Sequence, residues 1–361
     1  MTVLAMLSIG LLMYQCINVL INLIWMQRIK AEPQGSQSRV SVLIPARNEE
    51  SNIGLLLSDL TLCRDELFEI LVYDDDSTDN TAEIVSAFAR KEPKIRLIRS
   101  VGLPDDWLGK NHACHQLAQE AGGDCFLFLD SDVRILPTMI RDSVAELRRK
   151  KLGLMSVFPR QIQQTWGEKM TVPIMNYVLI TLLPLIFVRI SSFKSHVAAN
   201  GQFLLFDATV YLASQPHAKY RHSRVEDLDI AGDFKKQGVR LACLAVDKRL
   251  SCRMYHSYKE ALHGFSKNVL SFFGNKPFLA VGFWLLVSLG FIPVYITAQT
   301  AFMAYIFGVL VVVSIYSLVS KQSLLVNLLL YPVHLLFLLH VMLRAMSLTH
   351  QNKVTWKGRS L

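Results

Sequence analysis

Two carboxylates two residues apart close an apolar run, Phe126-Leu127-Phe128-Leu129-Asp130-Ser131-Asp132. A buried strand that delivers two anions to its own end suits a cation. Asp oxygens are preferred ligands of hard divalent ions such as Mg²⁺ and Mn²⁺, which keep several waters and bridge to phosphates. The alternative is a pair of loop aspartates capping the next helix. A second acidic stretch, Asp74-Asp75-Asp76-Ser77-Thr78-Asp79, could accept hydrogen bonds from a base or from ribose hydroxyls, with Asp75 as the expected contact. Ser77, Thr78 and Asp79 equally suit the start of a helix near Thr78. A third stretch runs from His222 to Asp229. Ser223 and Glu226 there fit a Ser-x-x-Glu capping box, which gives Glu226 a structural task and leaves Asp227 available. Asp229 and Asp233 are expected on the solvent side of that helix.

The elements that must position these groups alternate. Strands are expected at Val40 to Ile44, Phe68 to Tyr73, Ile95 to Ile98 and from Phe126 to Asp130. Helices are expected at Glu49 to Leu62, Thr78 to Arg90 and Asn111 to Ala121. Apolar strands alternating with helices predict an α/β fold, a parallel sheet covered on both faces. Ligands of such sheets bind beyond the carboxyl ends of the strands. Three polar clusters fall at those ends: Pro45-Ala46-Arg47-Asn48-Glu49, Asp74 to Asp79, and Asp130-Ser131-Asp132.

The chain is 52% hydrophobic and 19% charged, more apolar than an ordinary soluble domain. The excess is concentrated. No charged residue occurs from Met1 to Gln27, from Pro277 to Ser320, or from Gln322 to Leu343. A bilayer crossing needs roughly 20 apolar residues. The expected organisation is therefore an anchor at 1–27, a globular domain at 28–276, membrane or interfacial helices at 277–346, and a basic cytoplasmic tail at 347–361. No basic residue precedes the first apolar run, which favours a retained anchor over a signal peptide. Arg28, Lys30 and Arg39 follow it, so the positive-inside rule places the domain in the cytoplasm and the protein in the plasma membrane as a multi-pass chain. A further apolar stretch, Thr171 to Val188, is broken by Pro173 and Pro184 and is expected to lie in the membrane interface or buried under the domain. The last segment carries Asn327, Pro332, His334 and His340, which suggests a re-entrant or interfacial path. Six cysteines show no C-x-x-C spacing and no zinc pattern, as in a reducing compartment. The net charge of +9 suits anionic lipid and an anionic substrate. No nucleic-acid motif accompanies it.

In order, Ile44-Pro45-Ala46-Arg47-Asn48-Glu49-Glu50, Asp74 to Thr81 and Asp130-Ser131-Asp132 resemble the motifs of family 2 inverting glycosyltransferases, over about residues 38 to 270. That resemblance implies the GT-A fold, a Rossmann-like nucleotide-sugar-binding domain. It also implies that Pro45, Ala46, Arg47 and Glu49 line a nucleotide pocket, that Asp75 contacts uracil, and that Asp132 holds a metal bridging the diphosphate. Asp130 would support sugar and metal. Asp106-Trp107-Leu108-Gly109-Lys110-Asn111-His112-Ala113 looks like the Trp-x-Gly-Lys segment of lipid-modifying members, with Lys110 on phosphate or sugar. His112 and His115 read as packing residues. Asn200-Gly201-Gln202-Phe203 resembles the acceptor-side Gly-Gln segment, and the Glu226-Asp227 pair resembles the motif that holds the general base, here Asp227.

The Gln-x-x-Arg-Trp motif of processive polysaccharide synthases is absent. The region from Arg253 to Ser257 and on to Lys267 instead resembles carotenoid- and hopanoid-associated glycosyltransferases, with Arg253 and Lys267 as possible diphosphate or acceptor contacts. The tail Thr355-Trp356-Lys357-Gly358-Arg359 is similar to theirs as well. The resemblance thus implies metal-dependent transfer, with Mg²⁺ or Mn²⁺, from a nucleotide-sugar donor, UDP-linked, to a lipid acceptor. Its rivals are transfer to polyprenyl phosphate and a catalytically silent scaffold. Neither the sugar, the lipid nor the oligomeric state is written in the sequence.

Overall fold

The computed structural model describes residues 1–31, 38–193, 195–351, 355–356 and 359–360. The chain divides into two compact units.

The first unit comprises Gln27–Arg160 and Leu185–Cys252 and is built on one eight-stranded sheet. Its strands are β1 (Val40–Ala46), β2 (Glu69–Asp74), β3 (Ile95–Arg99), β4 (Cys125–Leu129), β5 (Val133–Ile135), β6 (Leu154–Gln161), β7 (Phe203–Asp207) and β8 (Leu241–Cys252), in the order β3-β2-β1-β4-β7-β6-β8-β5. The strands β3, β2, β1 and β4 are parallel, so their carboxyl ends share one edge. Beyond β4 the sheet changes sense: β7 runs antiparallel to β4 and to β6, and β5 antiparallel to β8. The expected all-parallel sheet is thus corrected to a mixed one. The antiparallel half brings β7 back along β4, and the residues before β7 arrive beside Asp130 at the end of β4.

The first two helices on the parallel strands match the apolar periodicity, with later starts. The first is Ile53–Leu62 and the second Thr81–Ala89. Thr78 does not open the second helix. Asp79 Oδ1 accepts the Thr81 N–H at 3.0 Å, so the turn before the helix is closed by the aspartate. Val42, Ile44, Leu56, Leu60, Ile70, Val72 and Leu127 are fully buried in one core. At roughly 1.5–3 kcal/mol for each large side chain, that core fixes the strand ends on which the polar clusters stand.

The second unit comprises Met1–Met26, Gln161–Pro184 and Arg253–Leu361. Val3–Ile24, Gln299–Val319 and Leu324–Leu348 are each long and apolar enough to cross a bilayer. Pro277–Leu289 and Phe291–Thr297 pass the same test together, bent by 53°. The last helix is continuous from Leu324 to Gln351 with Pro332 inside it, so its polar residues do not interrupt it as expected. The stretch after Gln161 forms the helices Trp166–Thr171 and Pro173–Leu182, and the latter packs against the first apolar helix. Asn18 Nδ2 donates to Thr181 O at 2.8 Å, Asn22 Nδ2 to Ile180 O at 2.9 Å, and Gln15 Nε2 to Tyr177 Oη at 3.0 Å. Polar side chains on an apolar helix need such partners. They explain why this proline-broken segment is buried among helices. In the tail, Thr355–Trp356 and Arg359–Ser360 pair antiparallel; Lys353, Lys357 and Gly358 lie outside the described residues.

Candidate active site

Two loops at the parallel edge form the first half of the site. Pro45 and Ala46 end β1, and Asp75 follows β2, where its N–H continues the ladder to Ala46 O at 2.8 Å. The Arg47 guanidinium donates to the carbonyls of Asp75 and Asp76. Asn48 adopts a left-handed φ of 52°, and its side chain accepts the Thr78 N–H at 2.8 Å. Asn tolerates that conformation better than most residues. Glu49 N–H donates to Thr81 Oγ1 at 2.8 Å, and Glu50 Oε2 accepts Asn80 N–H at 3.1 Å. The two clusters are therefore locked to each other by side chain–backbone bonds. Asp75 is buried.

The second half gathers residues far apart in the chain. Asp130 and Asp132 occupy the turn between β4 and β5. Ser131 between them is buried, and its hydroxyl donates to Pro45 O at 3.3 Å, which ties this turn to the first half. Asn200 Oδ1 accepts the Gln202 N–H at 2.8 Å and shapes the turn ahead of β7. From that turn Gln202 Nε2 reaches both Asp132 oxygens at 3.3 Å and Cys252 Sγ at 2.8 Å. Its neighbour Gly201 donates its N–H to Asp227 Oδ2 at 2.9 Å. Asp227 Oδ1 accepts the Leu228 N–H at 2.9 Å. Lys110, in the first turn of the helix Gly109–Glu120, places Nζ 2.9 Å from Asp130 Oδ1 and 3.3 Å from Glu226 Oε1. A Cβ on residue 201 would sit 3.1 Å from that nitrogen, so glycine lets backbone and ammonium approach.

Glu226 corrects the expected capping box. The helix Glu226–Lys236 has no side-chain cap; Ser223 Oγ bonds Asp229 instead, and Glu226 turns to Lys110. A local Ser-x-x-Glu pattern lost to an ion pair with a residue 116 positions away. Asp233 is also corrected. It is buried and paired with Lys219 Nζ at 2.7 Å, whereas Asp229 is exposed as expected.

The charges set the protonation of these groups. Burial, then the neighbouring charge of Glu226, pushes the Asp227 carboxyl up to about 7, against the opposing pull of Lys110 and two backbone N–H groups. Burial and the adjacent Asp130 push Asp132 up to about 6. Burial alone would lower the Lys110 ammonium; Asp130 and Glu226 outweigh it and hold it well above its ordinary value. Carboxylates crowded together and out of water, with one ammonium among them, are poised for a cation and for proton transfer.

A metal fits this donor set. Among the described residues no group of three His, Cys, Asp or Glu side chains converges as a closed metal cage. Mg²⁺ and Mn²⁺ bound with a phosphorylated substrate use one or two carboxylates plus waters and phosphate oxygens. Asp132 and Asp130 repel one another, Lys110 pairs with Asp130, and the two carboxylates supply that number.

Asn111 was not among the residues singled out from the sequence. Its Nδ2 donates to the carbonyls of Tyr220 at 2.9 Å, Arg221 at 3.2 Å and Ser223 at 2.9 Å. It fastens the segment that leads into Glu226 and Asp227 beside the helix that carries Lys110. Its place directly after Lys110 was the available signal. His112 and His115 pack on Trp107, with ring centroids at 5.4 and 5.2 Å, as expected of packing residues. Arg253 belongs to the apolar-helix unit, where Glu168 Oε1 accepts from its Nε at 3.1 Å and Nη2 at 2.7 Å.

The profile of the family described as glycosyl transferase family 2 matches residues 41–203. The chain carries a glycosyl transferase family 2 domain. The 4,4'-diaponeurosporenoate glycosyltransferase of Staphylococcus haemolyticus is 26% identical over 247 residues, 66% of this chain and 63% of that protein. The enzyme of the same name from Staphylococcus aureus is 26% identical over 263 residues, 69% of this chain and 66% of that protein. The matched region thus spans just under two thirds of these relatives. Mannosyltransferase PcManGT from Pyrobaculum calidifontis, solved with GDP-Man and Mn²⁺, superposes with a TM-score of 0.52 at 16% identity, covering 95% of this chain and 99% of that one. The family 2 domain has the GT-A fold of that neighbour. Its strand ends carry the loops described above, and Glu226 and Asp227 lie beyond the matched residues.

Proposed function

We propose that this family 2 domain transfers a sugar, with inversion, from a UDP-sugar to a lipid held at a membrane. One observation carries the proposal. Neighbouring residues Gly201 and Gln202 connect Asp227 to Asp132, so a potential base and a potential metal carboxylate share one site.

In this reading Arg47, Glu49 and Asp75, on the loops after β1 and β2, hold the nucleotide. Asp132 and Asp130 would hold Mg²⁺ or Mn²⁺, which when bound supplies Lewis-acid stabilisation of the diphosphate. Lys110 faces the sugar or the phosphates. Asp227 takes the proton of an acceptor hydroxyl as that oxygen forms its bond to the anomeric carbon. The bond from that carbon to the diphosphate oxygen breaks on the opposite face, and the diphosphate leaves with the electron pair. A base near pH 7 is matched to this task. It must be ionised to act, so turnover rises with pH through about 7. The staphylococcal relatives are named for diaponeurosporenoate, and the apolar-helix unit suits an acceptor delivered from lipid. Arg253 acts here as a support for that unit through Glu168.

The domain is placed in the cytoplasm, with the amino terminus outside and the bent pair Pro277–Thr297 entering and leaving by the same face. Two further crossings then return the basic tail to the cytoplasm, in keeping with the positive-inside rule.

The test is direct. Purified full-length protein is incubated with labelled UDP- and GDP-sugars, Mn²⁺ and a total lipid extract, and products are read by mass spectrometry. A glycosylated lipid carrying the inverted anomeric linkage is expected. A folded protein that neither transfers nor hydrolyses any donor refutes the proposal.

A further inference from the structure

We propose that His263, Lys267 and Arg344 form a headgroup site for an anionic phospholipid on the apolar-helix unit. The site is independent of the glycosyl-transfer reading and rests only on the apolar helices lying in a bilayer.

The helix Tyr258–Phe265 lies along the last apolar helix. Its inner face is fixed by several contacts. Tyr258 Oη is 2.9 Å from His340 Nδ1, and its ring is 5.1 Å from that of Phe337. The buried Ser266 hydroxyl donates to Leu262 O at 2.6 Å, and its oxygen lies 3.4 Å from Val341 O on the facing helix. Ala261 and Leu262 are buried. The outer face carries His263, and Lys267 follows one turn on. Arg344 stands one turn beyond Val341 on the facing helix. The contact at Ser266 therefore brings a neutral imidazole and two cationic side chains together, and they act on one another. Burial, then the charges of Lys267 and Arg344, push His263 below its ordinary value. Burial also lowers the half-buried Lys267 ammonium.

Among the described residues no carboxylate side chain of this unit is ion-paired with them. The segments 1–26, 161–184 and 253–361 contain only two, Glu168 and Glu260. Glu168 is committed to Arg253. Glu260 Oε2 accepts the His256 N–H at 2.6 Å where the helix starts. Clustered cations without an internal anion call for an external one. An exposed apolar side chain adjoins them: Leu343, next to Arg344 in the chain, is 53% exposed. Arg344 lies four residues from the end of the candidate span Leu324–Leu348, the depth at which long cationic side chains reach for headgroups. A ligand that joins a phosphate to acyl chains satisfies both the charge and the apolar surface; free phosphate satisfies only the first.

The experiment uses full-length protein in nanodiscs of equal phosphatidylglycerol and phosphatidylcholine, with retained lipid read by native mass spectrometry. Wild type is expected to retain phosphatidylglycerol over phosphatidylcholine by roughly thirtyfold, the scale set by two cations at a membrane surface. The K267Q/R344Q variant should lose the preference, and K267R/R344K should keep it. Glycerol 3-phosphate at millimolar concentration should not displace the lipid. Equal retention of the two lipids by wild type, an undiminished preference in a folded K267Q/R344Q variant, or displacement by glycerol 3-phosphate overturns the proposal. Retention is read without turnover, so its failure is distinct from failure of the glycosyl-transfer reading.

Discussion

Replacing Asp227 by Asn should shift stability in favour of the variant as pH rises from 5 to 8, while disabling it. The Asp227 carboxyl is pushed from its ordinary 3.8 to about 7, first by burial and then by Glu226. A raised carboxyl pKa means that the folded state resists ionisation which the unfolded chain accepts. The penalty is absent below about pH 4, grows as pH rises towards 7, and is constant above. At about 1.4 kcal/mol per pKa unit its ceiling is roughly 4 kcal/mol, of which about 2–3 kcal/mol accumulates between pH 5 and 8. Partial exposure of Asp227 weakens the effect, so about 1–2 kcal/mol is expected over that interval. Asparagine carries no such penalty. It does present an amide N–H₂ to one of the two backbone donors at Gly201 and Leu228, a loss of about 1–3 kcal/mol that does not depend on pH. The informative quantity is therefore the change in ΔTm between D227N and wild type as pH moves from 5 to 8. At about 2–4 °C per kcal/mol for a domain of this size, it should favour D227N by roughly 3–6 °C. Turnover at pH 8 should fall by roughly 10²–10⁴, the range for loss of a general base. A ΔTm that is the same at both pH values refutes the electrostatic reasoning. Retained turnover would refute the base and point to an acceptor, such as a phosphate, that is already anionic.

Three other outcomes follow from the same geometry. K110M removes the only ammonium bound to Asp130 and Glu226 among the described residues; the acid limb of kcat/KM should move up by roughly one pH unit, checked by a pH–rate profile. N111A frees three carbonyls of the segment before Glu226 and should cost about 1–3 kcal/mol of stability, read by thermal melting, with a loss of kcat that Asn111→Asp does not restore. Single cysteines at positions 2 and 322 in a variant lacking the native cysteines should label with an impermeant maleimide from outside intact cells, whereas one at 347 should not; labelling at 347 would make the bent pair a full crossing.

The parallel half of the domain was legible because β1, β2 and β4 are short, almost wholly buried and end at Ala46, Asp74 and Leu129, where apolar periodicity gives way to turn chemistry. The antiparallel half was not. β8 is twelve residues long and carries Asp247, Lys248 and Arg249, so its pattern reads as surface, and β7 is four apolar residues closed by Asp207, with no period to test. The site followed the same division. Motifs attached to strand ends, with Asp75 and Asp132 among them, stand where the strand pattern placed them. What no local pattern could provide was pairing at distance: Gly201 with Asp227, Lys110 with Glu226, Ser131 with Pro45. The capping box shows the cost of a local rule where a tertiary ion pair decides. Asn111 shows the reverse, a residue with no motif of its own that organises the approach to Glu226 and Asp227.

The most direct measurement is calorimetric titration of UDP into the purified full-length protein, with and without Mn²⁺, for wild type and D132N. Binding that requires Mn²⁺ in wild type and weakens at least tenfold in a folded D132N protein is the expected result. UDP binding that is indifferent to the metal, or unchanged in D132N, would contradict the assignment of the Asp130–Asp132 turn as the place where donor and cation meet.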